Sequence, residues 1–139
     1  MATDMAIIID DYWAAWNSHE VEKILSYFTD DVVYEDVAMG IVNRGKNEVK
    51  DFCNSIFIGF PDFKIELKSI FVSVDWAAQE WVLSGTFTNS VFGLPPATGK
   101  SASVRGISVE ELRNGKISRN SNYYDMASFM QQVGLMPGP

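Results

Sequence analysis

The sequence predicts an α+β domain in which a curved antiparallel sheet wraps around N-terminal helices and encloses a pocket. The first half contains three segments whose apolar residues recur at helical spacing, and the second half contains long segments in which apolar and polar residues alternate. Helices followed by a run of strands indicate the α+β class. A length of 139 residues suits one domain spanning residues 1–139, with enough chain to bury a core.

Three helices are predicted in the first half. The first has apolar residues on one face, namely Met5, Ile8, Ile9, Tyr12 and Trp16. Asn17 and Glu20 resemble a capping pair that opens the second helix, whose apolar face comprises Val21, Ile24, Leu25 and Phe28. The third spans about Lys46 to Ile58 and ends before Pro61, because proline disfavours a helical residue ahead of it.

The strands are predicted from alternation. Residues 32–36 form a short strand and residues 80–88 a longer one. Residues 64–68 also alternate, and a slip of apolar parity at Ile70-Phe71 indicates a bulge or bend. Residues 101–112 and 116–124 flank Asn114-Gly115, which is a strong hairpin signal. Because the bends curl the sheet around the helices, we expect a blind cavity between them, which is the usual form of a small-molecule site.

Composition excludes several classes of function. The net charge of −7 leaves no basic stripe for nucleic acid. The N-terminus has no basic region and no apolar run is long enough for a membrane, so we expect no signal peptide, no membrane contact and a cytoplasmic location. The single Cys53 suits a reducing compartment. With one histidine and one cysteine, a zinc site built on these residues is not expected, and no Gly-rich phosphate loop occurs.

Asp125 is the most informative single residue. A strand is predicted to end at Tyr124 and a helix to run from Met126 to Val133, with Gly134 as its terminating residue. Asp is a preferred N-cap residue, so Asp125 has a purely structural interpretation. Its aromatic and apolar surroundings equally suit a carboxyl group with a raised pKa that exchanges protons near neutral pH. Local sequence leaves both interpretations open.

A succession of short motifs identifies a family. They are Tyr12-Trp-Ala-Ala-Trp-Asn-Ser-His-Glu20, Tyr34-Glu-Asp36, Phe60-Pro-Asp62, Ser84-Gly-Thr86, Gly93-Leu-Pro-Pro96, Arg105-Gly106, Asn114-Gly-Lys-Ile117 and Tyr123-Tyr-Asp125. This succession resembles the SnoaL-like polyketide cyclases, which belong to the nuclear transport factor 2 superfamily. The resemblance implies a cone-shaped α+β fold with a deep pocket. The fold hosts many activities, so function has to be argued from the site.

The resemblance also implies roles for three residues. Asp125 matches the family's catalytic acid/base, which would remove a proton alpha to a carbonyl and lead to intramolecular aldol ring closure without a cofactor. Tyr12 and Asp36 match positions where ketosteroid isomerase has its oxyanion-hole tyrosine and its base. Tyr12 suits a core aromatic as well as a donor, because it shares the apolar face of the first helix. Asp36 suits either a cavity-facing carboxylate or an aspartate that begins a loop.

The expected substrate is a hydrophobic small molecule. Its pocket would be shaped by aromatic side chains, namely Trp16, Tyr34, Phe52, Phe57, Phe87 and Tyr124, although each of them also suits simple packing. Arg105 either lies on the surface or turns inward to bind an anionic or enol oxygen. Relatives commonly form homodimers or larger homo-oligomers through the open face of the sheet, and the same is expected here.

Two departures from the related patterns narrow the chemistry. Many relatives have a histidine where this chain has Phe87, so imidazole assistance is not available there. Ketosteroid isomerase requires a protonated acid on the matching strand. Ser108 is the nearest match to that acid in this sequence, and its hydroxyl is a weaker donor. The leading hypothesis is a cofactor-independent cyclase. The alternatives are an isomerase, an epoxide hydrolase that uses Asp125, Asp36 and Arg105, and a non-catalytic carrier of a lipophilic molecule.

Overall fold

The computed structural model describes residues 2–138, with side chains from Asp4 onward. Within this range the chain forms four helices and six strands. The helices are α1 (Ala2–Asn17), α2 (Val21–Leu25), α3 (Gly45–Gly59) and α4 (Met126–Gln132), and the strands are β1 (Phe28–Asp36), β2 (Ile41–Arg44), β3 (Lys64–Ser73), β4 (Trp76–Thr86), β5 (Ser101–Arg113) and β6 (Lys116–Tyr124).

The six strands form one curved, unclosed sheet in the order β2-β1-β6-β5-β4-β3. Neighbouring strands are antiparallel except for β1 and β6, which run parallel and place Asp36 beside Asn122. The predicted α+β class and curved sheet are confirmed. The parallel pair departs from an all-antiparallel sheet, and it joins the first half of the chain to the last strand.

The helices pack against the inner face of the sheet. α1 contacts β3 and β4, and α3 contacts β1 and β2. The core between them is strongly aromatic, with Tyr12, Trp13, Trp16 and Phe28 each at most 3% exposed. These aromatic rings meet mostly edge to face, as their quadrupoles favour. Among the described residues, no helix is long and apolar enough to cross a membrane.

The predicted capping pair at Asn17 and Glu20 is wrong. Glu20 is the N-cap of α2 but makes no side-chain cap bond. The Asn17 amide instead accepts from the backbone nitrogen of Ile65 (2.7 Å) and donates to its carbonyl oxygen (2.8 Å). β3 is an edge strand, so these polar backbone groups lack a neighbouring strand, and Asn17 satisfies them.

The predicted bulge in the third strand and the predicted hairpin turn at Asn114-Gly115 are both present. The register of β3 against β4 shifts between Leu67 and Ser69, two residues before the predicted position. Asn114 and Gly115 have φ values of 53° and 76°, which the tight turn between β5 and β6 requires.

A second apolar cluster closes one end of the sheet. Phe60, Phe87, Ala102 and Val133 are buried together, and the rings of Phe60 and Phe87 stack 5.5 Å apart. The Gln132 side chain accepts from the backbone nitrogen of Ser103 (2.7 Å) and donates to its carbonyl oxygen (3.1 Å). α4 is thereby held against β5, next to the loop of residues 87–100.

Candidate active site

Two adjoining cavities lie between the helices and the inner face of the sheet. The inner cavity measures about 50 Å³ and includes Trp13, Trp16, Tyr34, Asp36, Phe52, Ile65, Trp81 and Asn122 in its lining. The outer cavity measures about 40 Å³ and is lined largely by apolar residues, including Met39, Phe60, Phe92, Leu94, Ala102 and Phe129. Both share Ile56, Phe63, Leu83 and Tyr124. In this closed arrangement each has room for only a few water molecules.

Asp36 is the carboxylate of the inner cavity. It ends β1 on the same face as Val32 and Tyr34, because side chains alternate along a strand, and only 4% of it is exposed. Its Oδ1 accepts from the backbone nitrogen of Met39 (2.9 Å), and its Oδ2 accepts from the Tyr124 hydroxyl (3.0 Å). Each oxygen keeps lone-pair capacity beyond these bonds.

The surroundings of Asp36 set its proton affinity. Burial raises the pKa of this carboxyl above its usual value, and the bonds from Met39 and Tyr124 lower it again by favouring the charged form. A carboxylate with a raised pKa is a stronger base than an aspartate in water, because general-base efficiency improves as the pKa approaches the working pH. Asp36 therefore combines burial, fixed orientation and raised basicity in a cavity with aromatic walls.

A chain of buried hydrogen bonds crosses the inner face of the sheet. The Trp81 indole donates to the Ser108 hydroxyl (2.9 Å), which donates to the side-chain oxygen Oδ1 of Asn122 (2.6 Å). The Asn122 amide nitrogen then donates to the Tyr34 hydroxyl (2.9 Å). Asn120 adds a donor to the same Asn122 oxygen (3.0 Å). Asn122 and Tyr34 line the cavity beside Asp36, so this chain ends at the candidate site.

A second buried carboxyl group, Glu110, lies on the same face of the sheet. It is fully buried, and its Oε1 accepts from Gln79 (2.6 Å), whose own oxygen accepts from the Trp13 indole (3.0 Å). Burial raises the pKa of Glu110 to about 8, and the bond from Gln79 opposes this rise. Glu110 is therefore largely protonated at neutral pH. It is not among the residues that line either cavity.

Five of the residues predicted from sequence come together in the inner cavity: Trp16, Tyr34, Asp36, Phe52 and Tyr124. Trp16 and Tyr34 stack with ring centroids 6.3 Å apart, and Phe52 lies 5.4 Å from Tyr34. Both interpretations left open for Asp36 are present, because it lines the cavity and its bond from Met39 also begins the turn after β1. The aromatic walls and this carboxylate form one constellation.

Asp125 lies elsewhere. The strand and helix boundaries predicted around it are confirmed, and its Oδ1 accepts from the backbone nitrogen of Ser128 (2.9 Å), as an N-cap does. Its side chain is exposed to solvent and is not part of the lining of either cavity. The acid/base role of Asp125 stays a prediction, and the geometry favours its capping role.

Four other predicted residues also lie away from the cavities. Tyr12 is fully buried among α1 aromatics, and burial, with a further contribution from Glu110, raises its pKa well above the usual value. Phe57 stacks on His19 at 4.2 Å, and Phe87 packs in the second apolar cluster. Arg105 is exposed on the outer face, opposite Val82. The set of Asp125, Asp36 and Arg105 is therefore not assembled around one cavity.

Sequence reasoning missed the inner polar residues, chiefly Trp81, Asn122 and Glu110. A signal for Glu110 exists, because it shares strand parity with Ala102, Val104 and Leu112, all of which are buried. No local sequence pattern indicates the role of Asn122, because its hydrogen-bond partner Tyr34 lies 88 residues away. Within residues 2–138, no group of three or more His, Cys, Asp or Glu side chains is placed to hold a metal ion.

The chemistry that this arrangement permits is proton transfer at carbon. A buried, oriented carboxylate can accept a proton from a carbon acid, and neighbouring hydroxyl groups can stabilise the oxygen that becomes negative. The aromatic lining suits a hydrophobic ligand.

A family model described as SnoaL-like polyketide cyclase matches residues 6–133. The chain belongs to the SnoaL-like polyketide cyclases. The chain is 28% identical over 116 residues to Cyclase aurE of Calcarisporium arbuscula, with 82% of each chain covered. This identity accords with the motif resemblance seen in the sequence.

Solved structures agree with the family. A protein of Silicibacter sp. TM1040, provisionally named a polyketide cyclase, is 29% identical, with a TM-score of 0.81 and coverage of 93% of this chain and 94% of the other. A protein of Jannaschia sp. CCS1, provisionally named a SnoaL-like polyketide cyclase, has a TM-score of 0.86 at 16% identity, with 99% and 96% covered. The second likeness shows the fold alone, and that fold is the one expected of a SnoaL-like chain.

Proposed function

We propose that this SnoaL-like protein is a cofactor-independent cyclase that closes a ring within a hydrophobic carbonyl compound, with Asp36 as the acid/base. The observation that carries the proposal is the Asp36 carboxylate, 4% exposed, oriented by Tyr124 and Met39 inside an aromatic cavity. Membership of a cyclase family supports the reaction class.

The reaction needs one proton to move to and from Asp36 and one carbon–carbon bond to form, with no change in overall oxidation state. Asp36 takes a proton from the carbon next to one carbonyl, and the electron pair of that C–H bond becomes an enolate. The enolate carbon attacks a second carbonyl carbon of the same molecule, which forms the ring bond and leaves an alkoxide. The alkoxide recovers the proton from Asp36, so the carboxylate is regenerated and the product is an isomer of the substrate.

Substrate entry requires side chains to move. The two cavities are separated by the side chains that both share, and neither has room for a ring in the closed arrangement. Rotation of Leu83 and Ile56 would merge them. Phe92 and Leu94, from the loop of residues 87–100, line the outer cavity and would form its entrance.

The test separates proton removal from ring closure. The first probe is alpha-tetralone in deuterated water, in which exchange of the alpha hydrogens is followed by proton NMR. The second is a diketone with one phenyl and one methyl end and three methylene groups between its carbonyl carbons, whose cyclisation is followed by chromatography. We expect wild-type protein to accelerate both and Asp36→Asn to lose at least a hundredfold in each.

Asp125→Asn is the matched control, because it changes the exposed carboxyl group and leaves the cavity intact. Loss of both reactions in Asp125→Asn with retention in Asp36→Asn would transfer the acid/base role to Asp125. No acceleration of either reaction by wild-type protein would overturn the proposal and favour a carrier of a lipophilic molecule.

A second copy of the chain is the partner that we propose for the outer face of the sheet. Phe71, Trp76, Ile107 and Tyr123 project from this face and are 60%, 46%, 36% and 45% exposed. Ile107 and Tyr123 are directly opposite each other on β5 and β6. Sedimentation velocity should show a dimer that Ile107→Lys dissociates; a monomeric wild-type protein at high concentration would contradict this assembly.

A further inference from the structure

The direction of the buried hydrogen-bond chain is fixed at its start. The Trp81 indole nitrogen can only donate, so Ser108 must accept from it. The single hydroxyl proton of Ser108 is then directed to Asn122, which must present its carbonyl oxygen to receive it. The amide nitrogen of Asn122 consequently faces Tyr34 and donates to its hydroxyl oxygen.

This direction determines what the Tyr34 hydroxyl can do. The hydroxyl accepts from Asn122, and among the described residues no acceptor takes its proton. Tyr34 is 3% exposed and lines the inner cavity, so bulk water does not accept a hydrogen bond from its hydroxyl. Burial raises the pKa of Tyr34 well above the usual value, which keeps the hydroxyl protonated at neutral pH.

Tyr34 and Asp36 are placed to act on neighbouring atoms of one molecule. They are two residues apart on β1 and share its inner face, which separates their Cα atoms by roughly 7 Å. A carbonyl compound between the two side chains can present its oxygen to Tyr34 and its alpha hydrogen to Asp36.

From this geometry we propose that the Tyr34 hydroxyl is the donor that binds the carbonyl or enolate oxygen of the substrate, and that Ser108 and Asn122 are positioning residues that aim it. The inference rests on the proposed function for its role in turnover. The preference for an oxygen-bearing ligand follows from the hydrogen-bond chain alone. No proton leaves Tyr34; it donates a hydrogen bond that strengthens as charge develops on the substrate oxygen.

The test compares two probes of similar shape, beta-naphthol and beta-methylnaphthalene, whose binding is measured by fluorescence titration. We expect wild-type protein to bind the naphthol at least tenfold more tightly. Tyr34→Phe should abolish that preference and leave the affinity for beta-methylnaphthalene unchanged, because the aromatic wall is retained. Ser108→Ala, which interrupts the chain without touching the cavity, should reduce the preference severalfold.

The outcomes are separable from those of the proposed function. A naphthol preference that survives Tyr34→Phe overturns the donor role, even if Asp36 catalyses alpha-hydrogen exchange. A preference unaffected by Ser108→Ala overturns the positioning role of the chain. Loss of the preference in Tyr34→Phe supports the inference, even if alpha-tetralone exchange is absent. Where both hold, Tyr34→Phe should also lower kcat for exchange at least tenfold and raise KM by a smaller factor, because the hydrogen bond strengthens as charge develops on the substrate oxygen.

Discussion

The Tyr124 hydroxyl donates a hydrogen bond of 3.0 Å to Oδ2 of Asp36, and the two residues are 88 positions apart in the chain. The bond joins the ends of the parallel strands β1 and β6. It favours the charged form of Asp36 in a cavity whose low polarity opposes that form. The basicity of Asp36 is therefore set by a balance between burial, which raises its pKa, and the hydrogen bonds from Met39 and Tyr124, which lower it.

Tyr124→Phe should raise the pKa of Asp36 further, because it removes a hydrogen bond to the carboxylate while burial remains. Activity requires the ionised form, so the acid limb of the pH profile should move to higher pH. The measurement is kcat/KM for alpha-tetralone exchange across pH. Tyr123→Phe, which changes the neighbouring ring on the outer face, is the control; an unchanged acid limb in Tyr124→Phe would refute this balance.

Asp125→Ala should lower the free energy of unfolding by about 1 kcal/mol, because the cap bond to the Ser128 backbone nitrogen is lost. Urea denaturation measures the change. Asp125→Ser keeps a capping oxygen and should recover most of the stability. Exchange activity should remain near wild type in both variants. A hundredfold loss of activity in each would instead support the catalytic role predicted from the family resemblance.

Glu110→Gln should change how stability depends on pH. The folded-state pKa of about 8 exceeds the ordinary value of 4.5, so the folded protein holds a proton that the unfolded chain releases. The contribution of Glu110 to stability is therefore fully present below about pH 4.5 and is lost as the pH rises towards 8.

The Glu110→Gln variant lacks this titration and keeps the acceptor for Gln79. It should gain a few kcal/mol relative to wild type between pH 5 and pH 8. Thermal unfolding over this pH range gives the comparison, with Glu111→Gln on the outer face as the control. If the stability of Glu110→Gln and that of wild type change with pH in parallel, Glu110 ionises normally and the prediction is wrong.

Gly106→Ala should destabilise the protein by about 1–3 kcal/mol or more. An added Cβ would clash with Cη2 of the Trp81 ring. It would also lie 2.6 Å from Cζ3 of the same ring and 2.7 Å from the backbone carbonyl oxygen of Tyr123. The Tyr123 backbone is fixed in the sheet, so the Trp81 indole would have to move away from the added methyl group. Its hydrogen bond to Ser108 should then break as well. Gly138→Ala, whose Cβ would have no neighbour within 4 Å, is the control in urea denaturation.

The sequence predicts local structure well where a short motif determines it. The Asn114-Gly115 turn, the α1 face and the junction at Asp125 are each decided by a few consecutive residues. The direction of the Asp125 side chain was not predictable, because an N-cap and a cavity carboxylate occupy the same strand end. Asn122 was also missed, since its function depends on the pairing of β1 with β6, and periodicity within one strand carries no information about a distant partner.

The parallel pairing of β1 with β6 has a consequence for the order of synthesis. Asp36 and Tyr34 emerge from the ribosome well before Asn122 and Tyr124, which form hydrogen bonds to them. Until then β1 has no neighbour on that side, and its buried aromatic face has only helices to cover it. Under the proposed function, a nascent chain binds substrate only after β6 has emerged, so ligand binding would report that synthesis has passed residue 124.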